Sequence, residues 1–266
     1  MKPAPFRYAP AGSVDEALAL LEDDEALALA GGQSLVPLLN FRLARPGLLV
    51  DLNPVAELDR LEASNGALHI GAMTRQATVL HSSAVNARWP LLARAIAHVG
   101  HAAIRSRGTV GGSVAHADPK AEIPVALSAL DARFHLRSRA ALRTLGADEL
   151  FVGPFTTAVQ SGELLVEIEV PAPPAGARMA FVEHARTHGD FAVAGVAALV
   201  SPGGRAAIAL LGADAVPVRA RLAERALGGG ADPAEAARLA TAEVGDDYRR
   251  ALLAALAERA LRQVTA

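Results

Sequence analysis

Two glycine doublets in matching surroundings constrain this chain more than any other feature: Ala30-Gly31-Gly32-Gln33-Ser34 near the start, and Thr109-Val110-Gly111-Gly112-Ser113 about eighty residues later. Each follows an apolar, strand-like run and carries a serine just after the pair. A glycine pair admits positive φ and lets main-chain N–H groups approach anionic oxygens with no Cβ between them. Two such backbone-donor turns in one chain fit a single extended, phosphate-bearing ligand. Their separation argues against a Rossmann fingerprint, whose glycines fall within one G-x-G-x-x-G turn with an acid about twenty residues on. The Gly-Lys-Ser/Thr of a P-loop is also missing from the sequence.

The surrounding pattern reads as α+β. Ser13-Val14-Asp15-Glu16 has the form of a capping box and opens an Ala/Leu-rich helix to about Leu21. Residues 26–30 read as a short buried strand. Ser34 is expected to cap a helix with Leu35, Leu38, Leu39 and Leu43 on one face, followed by a strand at 48–52. That unit places the Gly31-Gly32 amides at a helix N-terminus, where the macrodipole favours an anion. Beyond Pro54, residues 67–71 are strand-like, Thr74 is expected to cap a short helix, and Pro90 to open one reaching about Val99. Asp118-Pro119 reads as N-cap and first residue of a helix over 120–130, and 133–137, 141–145 and 164–170 as strands of one sheet. The proline-dense run 171–176 is the clearest linker. Three strands (179–185, 191–200, 205–211), with Pro202-Gly203-Gly204 as a hairpin turn, and three amphipathic helices (219–227, 233–243, 248–264) complete the chain. The expected divisions are 1–53, 54–173 and 177–266.

Lys and Arg (26) nearly cancel Asp and Glu (28), so no global field points to nucleic acid or an anionic membrane, and aromatics at 4% leave little for base stacking. Phosphate recognition must therefore be local. The first residues lack the apolar core of a signal peptide and no apolar run reaches membrane-spanning length, so cytoplasmic residence is the expectation. There is no cysteine, which excludes disulfides, thiolate nucleophiles, Cys-ligated zinc and Cys-held iron–sulfur clusters within this chain. Redox work would need a bound organic cofactor.

His116-Ala117-Asp118 and the pair His184/His188 stop short of three ligands and lack the His-Glu-x-x-His form, so they read as surface or core residues and no metal site is expected. No nucleophile elbow with Ser, His and Asp is visible. Asp118 reads as a helix N-cap ahead of a ligand contact. Glu122 has two readings, an acceptor for ribose or ribityl hydroxyls and a solvated first-turn acid. Arg105 and Arg107 likewise read either as offsets to phosphate charge or as solvated cations.

Taken together, the runs Ala30-Gly31-Gly32-Gln33-Ser34-Leu35, Asp51-Leu52-Asn53, Arg105-x-Arg107-Gly108-Thr109-Val110-Gly111-Gly112-Ser113-x-Ala115-His116-Ala117-Asp118-Pro119 and His188-Gly189-Asp190-Phe191-Ala192 resemble the FAD-binding medium subunit of the molybdenum hydroxylases. This is the carbon monoxide dehydrogenase and xanthine dehydrogenase family, and the resemblance spans nearly the whole chain. It implies a two-subdomain FAD-binding fold of the vanillyl-alcohol oxidase type, with a C-terminal three-stranded antiparallel sheet and three-helix bundle. It implies that residues 28–35 and 109–113 hold the FAD pyrophosphate by backbone amides, which makes Ala30, Gly31, Gly32, Gln33, Ser34, Leu35, Thr109, Val110, Gly111, Gly112 and Ser113 candidate site residues. By the same resemblance Asp118 and Glu122 lie near the cofactor, Glu122 by its sugar hydroxyls, and Val99 and Leu165 border the flavin or adenine ring.

The resemblance further implies a large partner subunit with molybdopterin and a small one with two [2Fe–2S] clusters, in a dimer of heterotrimers. Electrons would reach the FAD from the clusters and leave to an external acceptor. No side chain of this chain is expected to act as acid, base or nucleophile. Val99 stands where xanthine dehydrogenases carry an aromatic, and Phe181-Val182-Glu183-His184 lacks their lysine, departures that favour the bacterial separate-subunit branch. Two other readings remain beside this one: a stand-alone flavin reductase or oxidase of the same fold, and a nucleotide-binding scaffold without catalysis.

Overall fold

The computed structural model describes residues 2–266. The N-terminal layer comprises β1 (Arg7–Pro10), α1 (Val14–Leu20), β2 (Ala26–Leu29), α2 (Leu35–Asn40) and β3 (Leu48–Asp51). Its strands run parallel in the order β1-β3-β2, with β3 central and buried at every residue. The Ser13 hydroxyl caps α1, accepting from Glu16 N at 3.1 Å. The return bond differs from the expected box by one residue, because Glu16 Oε2 accepts from Gly12 N.

The middle region is a five-stranded antiparallel sheet ordered β4 (Leu61–Ser64), β5 (Ala67–Gly71), β10 (Leu164–Pro171), β6 (Arg133–Arg137) and β7 (Leu142–Leu145). Between β5 and β6 runs a series of helices: α3 (Gln76–His81), α4 (Ser83–Arg88), α5 (Pro90–His98), α6 (Ala102–Arg107), α7 (Val110–His116) and α8 (Glu122–Ala129). A short helix α9 (Ala147–Leu150) and a small hairpin, β8 (Phe151–Gly153) with β9 (Thr156–Thr157), lie between β7 and β10.

Some local expectations fail for identifiable reasons. Thr74 does not cap α3; its hydroxyl donates to the Arg60 carbonyl at 2.7 Å, which ties the turn after β5 to the segment before β4, and Arg75 is the N-cap. Asp118 does not cap α8. Its carboxylate accepts from Lys120 N at 2.9 Å in a local turn, and the helix starts at Glu122 with Ala121 as N-cap. Ser34 precedes α2 with helical φ and ψ and makes no side-chain capping bond. Helix α2 is only six residues long and buries Leu39, while Leu43 falls beyond its end and is exposed.

The C-terminal sheet has four strands rather than the expected three: β11 (Arg178–Ala185), β12 (Ala192–Val200), β13 (Ala206–Leu211) and the two-residue β14 (Val218–Arg219). Helices α10 (Arg221–Gly228), α11 (Pro233–Ala240) and α12 (Asp247–Thr265) follow. Strand periodicity divides this sheet between two cores. Ala194, Val196, Ala198, Ile208 and Leu210 face α10–α12, whereas Ala197, Leu199, Ala207, Ala209 and Leu211 join the core containing α5, α8 and the five-stranded sheet. A strand covered on both faces loses polar alternation, which explains the unbroken apolar run of β12.

Candidate functional site

The C-terminal ends of β2 and β3, the start of α2, and helices α7 and α8 enclose a cleft of about 570 Å³. It brings together Ala30, Gly31, Gly32, Gln33, Ser34, Leu35, Val99, Thr109, Gly111, Gly112, Ser113, Asp118, Glu122 and Leu165. Val110 does not line it. Helix α7 starts at Val110, and its side chain turns into the middle core with no exposed surface. Strand β2, expected to be buried, is mostly half-open because the cleft lies against it.

The two glycine pairs do different jobs. Among the described residues, no protein acceptor receives the N–H groups of Gly31, Gly32, Gln33, Ser34 or Leu35. Gly32 has φ of 72°, the left-handed conformation that curls such a row of amides toward one point. The second pair is not a loop of free donors. Gly111 N donates to Ala72 O at 3.0 Å and Gly112 N to the Thr109 hydroxyl at 2.9 Å, inside the first turn of α7. Glycine is required there for close approach: a Cβ on Gly111 would lie 2.6 Å from the Ala72 Cα, and one on Gly112 would reach Ala30 Cβ at 3.4 Å. Gly31 meets the same seam from the other side, against the backbone of Arg107 and Gly108. The first pair thus supplies donors and, through Gly31, the closest contact between the two walls, while the second lets α7 pack on the turn after β5.

Two buried polar groups face the cleft. Gln76 is 5% exposed and its Oε1 has no partner, while its Nε2 donates to Thr109 O at 3.4 Å. Glu122 is 7% exposed at the start of α8, and its carboxyl is pushed up to about 7. Burial is the main cause, and the nearby Glu183 carboxylate adds to it. His98 Nδ1 stands 3.0 Å from Glu183 Oε1, and that contact raises the His98 pKa. The solvated reading of Glu122 is therefore set aside.

Other lining residues were not among the expected site residues, although Gly189, Asp190 and Phe191 belong to a run that carries the family resemblance. Met73, Gln76, Ile104 and Val159 arrive from turns and helices remote in sequence, and Gly189, Asp190 and Phe191 from the loop between β11 and β12. Arg105 is structural: its guanidinium donates to the carbonyls of Val99 and Gly100 at 2.8 and 3.0 Å. Among the described residues no group of three or more His, Asp or Glu is placed to hold a metal, and no helix is long and apolar enough to cross a membrane.

The model of the FAD binding domain in molybdopterin dehydrogenase matches residues 4–173, which contain both glycine pairs and Glu122. The chain belongs to this family. It is the FAD-binding medium subunit of a molybdenum hydroxylase complex, and hence part of an oxidoreductase. The 6-hydroxypseudooxynicotine dehydrogenase complex subunit alpha of Paenarthrobacter nicotinovorans is 45% identical over 234 residues, covering 85% of this chain and 79% of that one. Caffeine dehydrogenase subunit beta of a Pseudomonas species is 40% identical over 226 residues, covering 82% and 77%. In three dimensions, carbon monoxide dehydrogenase of Hydrogenophaga pseudoflava superposes with a TM-score of 0.94 at 37% identity, over 99% of this chain and 98% of that one.

The cleft of this medium subunit fits FAD on its own chemistry. Five consecutive free amides suit a pyrophosphate, and Glu122 offers a carboxyl to hydroxyls. Val99, Ile104 and Leu165 give an apolar wall for a ring.

Proposed function

We propose that this chain holds FAD in the cleft as an electron-transfer subunit. Electrons reach it from [2Fe–2S] clusters on a small partner subunit, downstream of a large molybdopterin subunit, and leave to an external acceptor. The assembly is read as a dimer of heterotrimers in the cytoplasm, of the separate-subunit type represented by carbon monoxide dehydrogenase. The observation that carries the reading is the row of unpartnered amides at residues 31–35, which lines one cleft together with the buried Glu122.

FAD supplies the one- and two-electron chemistry. The chain's own residues bind and enclose it: the 31–35 amides take the pyrophosphate, Glu122 accepts from sugar hydroxyls, and Val99 and Leu165 exclude water from a ring. A purified sample is expected to carry an oxidised-flavin absorption band, or to gain one on adding FAD, and to co-purify with a Cys-rich small chain and a large one. A folded chain that binds no flavin at micromolar concentration would refute the proposal. Turnover of a small substrate by the isolated chain would favour the stand-alone enzyme instead.

A pH dependence follows from Glu122. Its folded-state pKa is about 7, raised from 4.5, and hydroxyl donors favour the ionised form. Binding FAD below pH 7 must therefore release a proton, so affinity weakens as pH falls, by up to about tenfold per unit. Stability of the unliganded chain slopes the other way: the contribution of the Glu122 proton is fully present below 4.5 and is lost as pH rises through 7. Titrating FAD between about pH 5.5 and 8 measures the first effect. A flat wild-type profile would remove Glu122 from the site, and Glu122→Gln is expected to flatten it.

A further inference from the structure

We infer that Asn53 and Arg75 form a polar strut that sets the spacing of the two glycine walls, and that they are positioning residues for the pyrophosphate of FAD. The inference rests on the reading of the cleft given above. Neither residue lines the cleft. Asn53 Nδ2 donates to the Ala30 carbonyl at 3.1 Å, immediately before the row of free amides. Asn53 Oδ1 accepts from Arg75 Nη2 at 2.6 Å, and Arg75 Nη1 donates to the Arg107 carbonyl at 2.5 Å. The same Arg107 carbonyl oxygen is the atom that a Cβ added at Gly31 would meet first. One guanidinium fork and one amide therefore grip both walls beside the point where they touch.

The orientation of the amide is determined by its neighbours. Asp51 Oδ1 accepts from Asn53 N at 2.9 Å and also from Asn53 Nδ2, while its Oδ2 accepts from the Tyr8 hydroxyl at 2.5 Å. An ionised carboxylate only accepts and a guanidinium only donates, so the amide NH2 must face Asp51 and its oxygen must face Arg75. Burial alone would push the Asp51 carboxyl up, but the bonds from Tyr8 and Asn53 outweigh it and keep the group charged. Arg75 also sits in an isolated antiparallel bridge with Thr109, through Gln76 N to Gly108 O at 2.9 Å and Val110 N to Thr74 O at 3.0 Å. The segment 74–76 is thus already fixed to the second wall. The side chains of Arg75 and Asn53 extend that fixture to the first.

The test compares Asn53→Ala, Arg75→Met, Arg75→Lys and the Asn53→Ala/Arg75→Met double variant, titrating FAD and ADP into the unliganded chain. Each single variant is expected to weaken both ligands about tenfold, the worth of one charge-assisted hydrogen bond. The double variant is expected to lose no more than the weaker single one, because one strut is broken either way. The absorption spectrum and reduction potential of bound FAD should not move, since the strut bears only on the walls assigned to the pyrophosphate. Arg75→Lys keeps the charge without the fork and is expected to fold like wild type yet still weaken FAD. Wild-type affinity in the folded single variants, or a double loss equal to the product of the singles, would overturn the strut. Failure of the wild-type chain itself to bind FAD would withdraw the underlying reading, and the strut with it.

Discussion

Gly31→Ala is expected to purify without flavin and to bind added FAD about a hundredfold more weakly than wild type, the equivalent of about 3 kcal/mol. A Cβ at this position would stand 2.8 Å from Gly108 Cα and closer still to the Arg107 carbonyl oxygen. Both are backbone atoms, so no rotamer change relieves the clash, and the walls must part. On the proposed assignment, the free amides of residues 31–35 would then move off the pyrophosphate, and a displacement of about 1 Å is enough to forfeit most of such an interaction. Gly112→Ala is expected to be milder, because its new Cβ meets chiefly a Thr109 hydroxyl, at 2.7 Å, and Ala30 Cβ at 3.4 Å. Gly203→Ala is the control: nothing lies within 4 Å of its Cβ. The ratio of the visible flavin band to the protein band, with a titrated dissociation constant, checks the series. Wild-type stoichiometry and affinity in Gly31→Ala would show that the wall contact does not set the site.

Local features of the sequence carried over where local physics decides the outcome. Residues 67–71 and 133–137 are strands at the expected bounds, Pro90 opens α5, and Ser13 caps α1. The glycine pairs were visible because an absent side chain is a local property. Their division of labour was not. Gly111 N is taken by the Ala72 carbonyl, which lies in the turn after β5, and only the folded chain brings these two segments together. The same holds for Gln76, which reaches the cleft because Thr109 and Gly108 pack on its helix start. Asp118 offered the chemistry of a cap, yet a two-residue turn to Lys120 competed for its carboxylate and won. The fourth C-terminal strand was missed because it is two residues long, shorter than any periodic signal.

Arg219, in that short strand, carries the second large effect: Arg219→Met is expected to lower the unfolding free energy by about 3 kcal/mol or more. The side chain is 6% exposed and makes three bonds, Nε to Glu224 Oε1 at 2.7 Å, and Nη1 to Asp131 Oδ1 at 2.6 Å and to the Ser128 carbonyl at 2.8 Å. Burial would depress its pKa, but Glu224 and Asp131 more than offset this and raise it. Removing the guanidinium takes from Glu224, also nearly buried, its closest cation, leaving it the Ile208 N–H at 2.8 Å and the more distant Arg221 at 3.6 Å, and loosens the end of α8 at Ser128. For a chain of this size the melting temperature should fall by roughly 10 °C. Arg219→Lys is expected to recover only part, since one ammonium cannot serve three acceptors set for a planar fork. The link to the cofactor site runs along α8, eight residues from Glu122 to Ala129, with Glu122 at the cleft and Ser128 against Arg219. Because Glu122 is at the opposite end of a helix buried at every residue, FAD binding should survive the substitution better than stability does. Saturating FAD is then expected to restore part of the lost melting temperature by binding only the folded form. A melting temperature within a degree or so of wild type would show that the network is solvated and contributes as little as a surface pair.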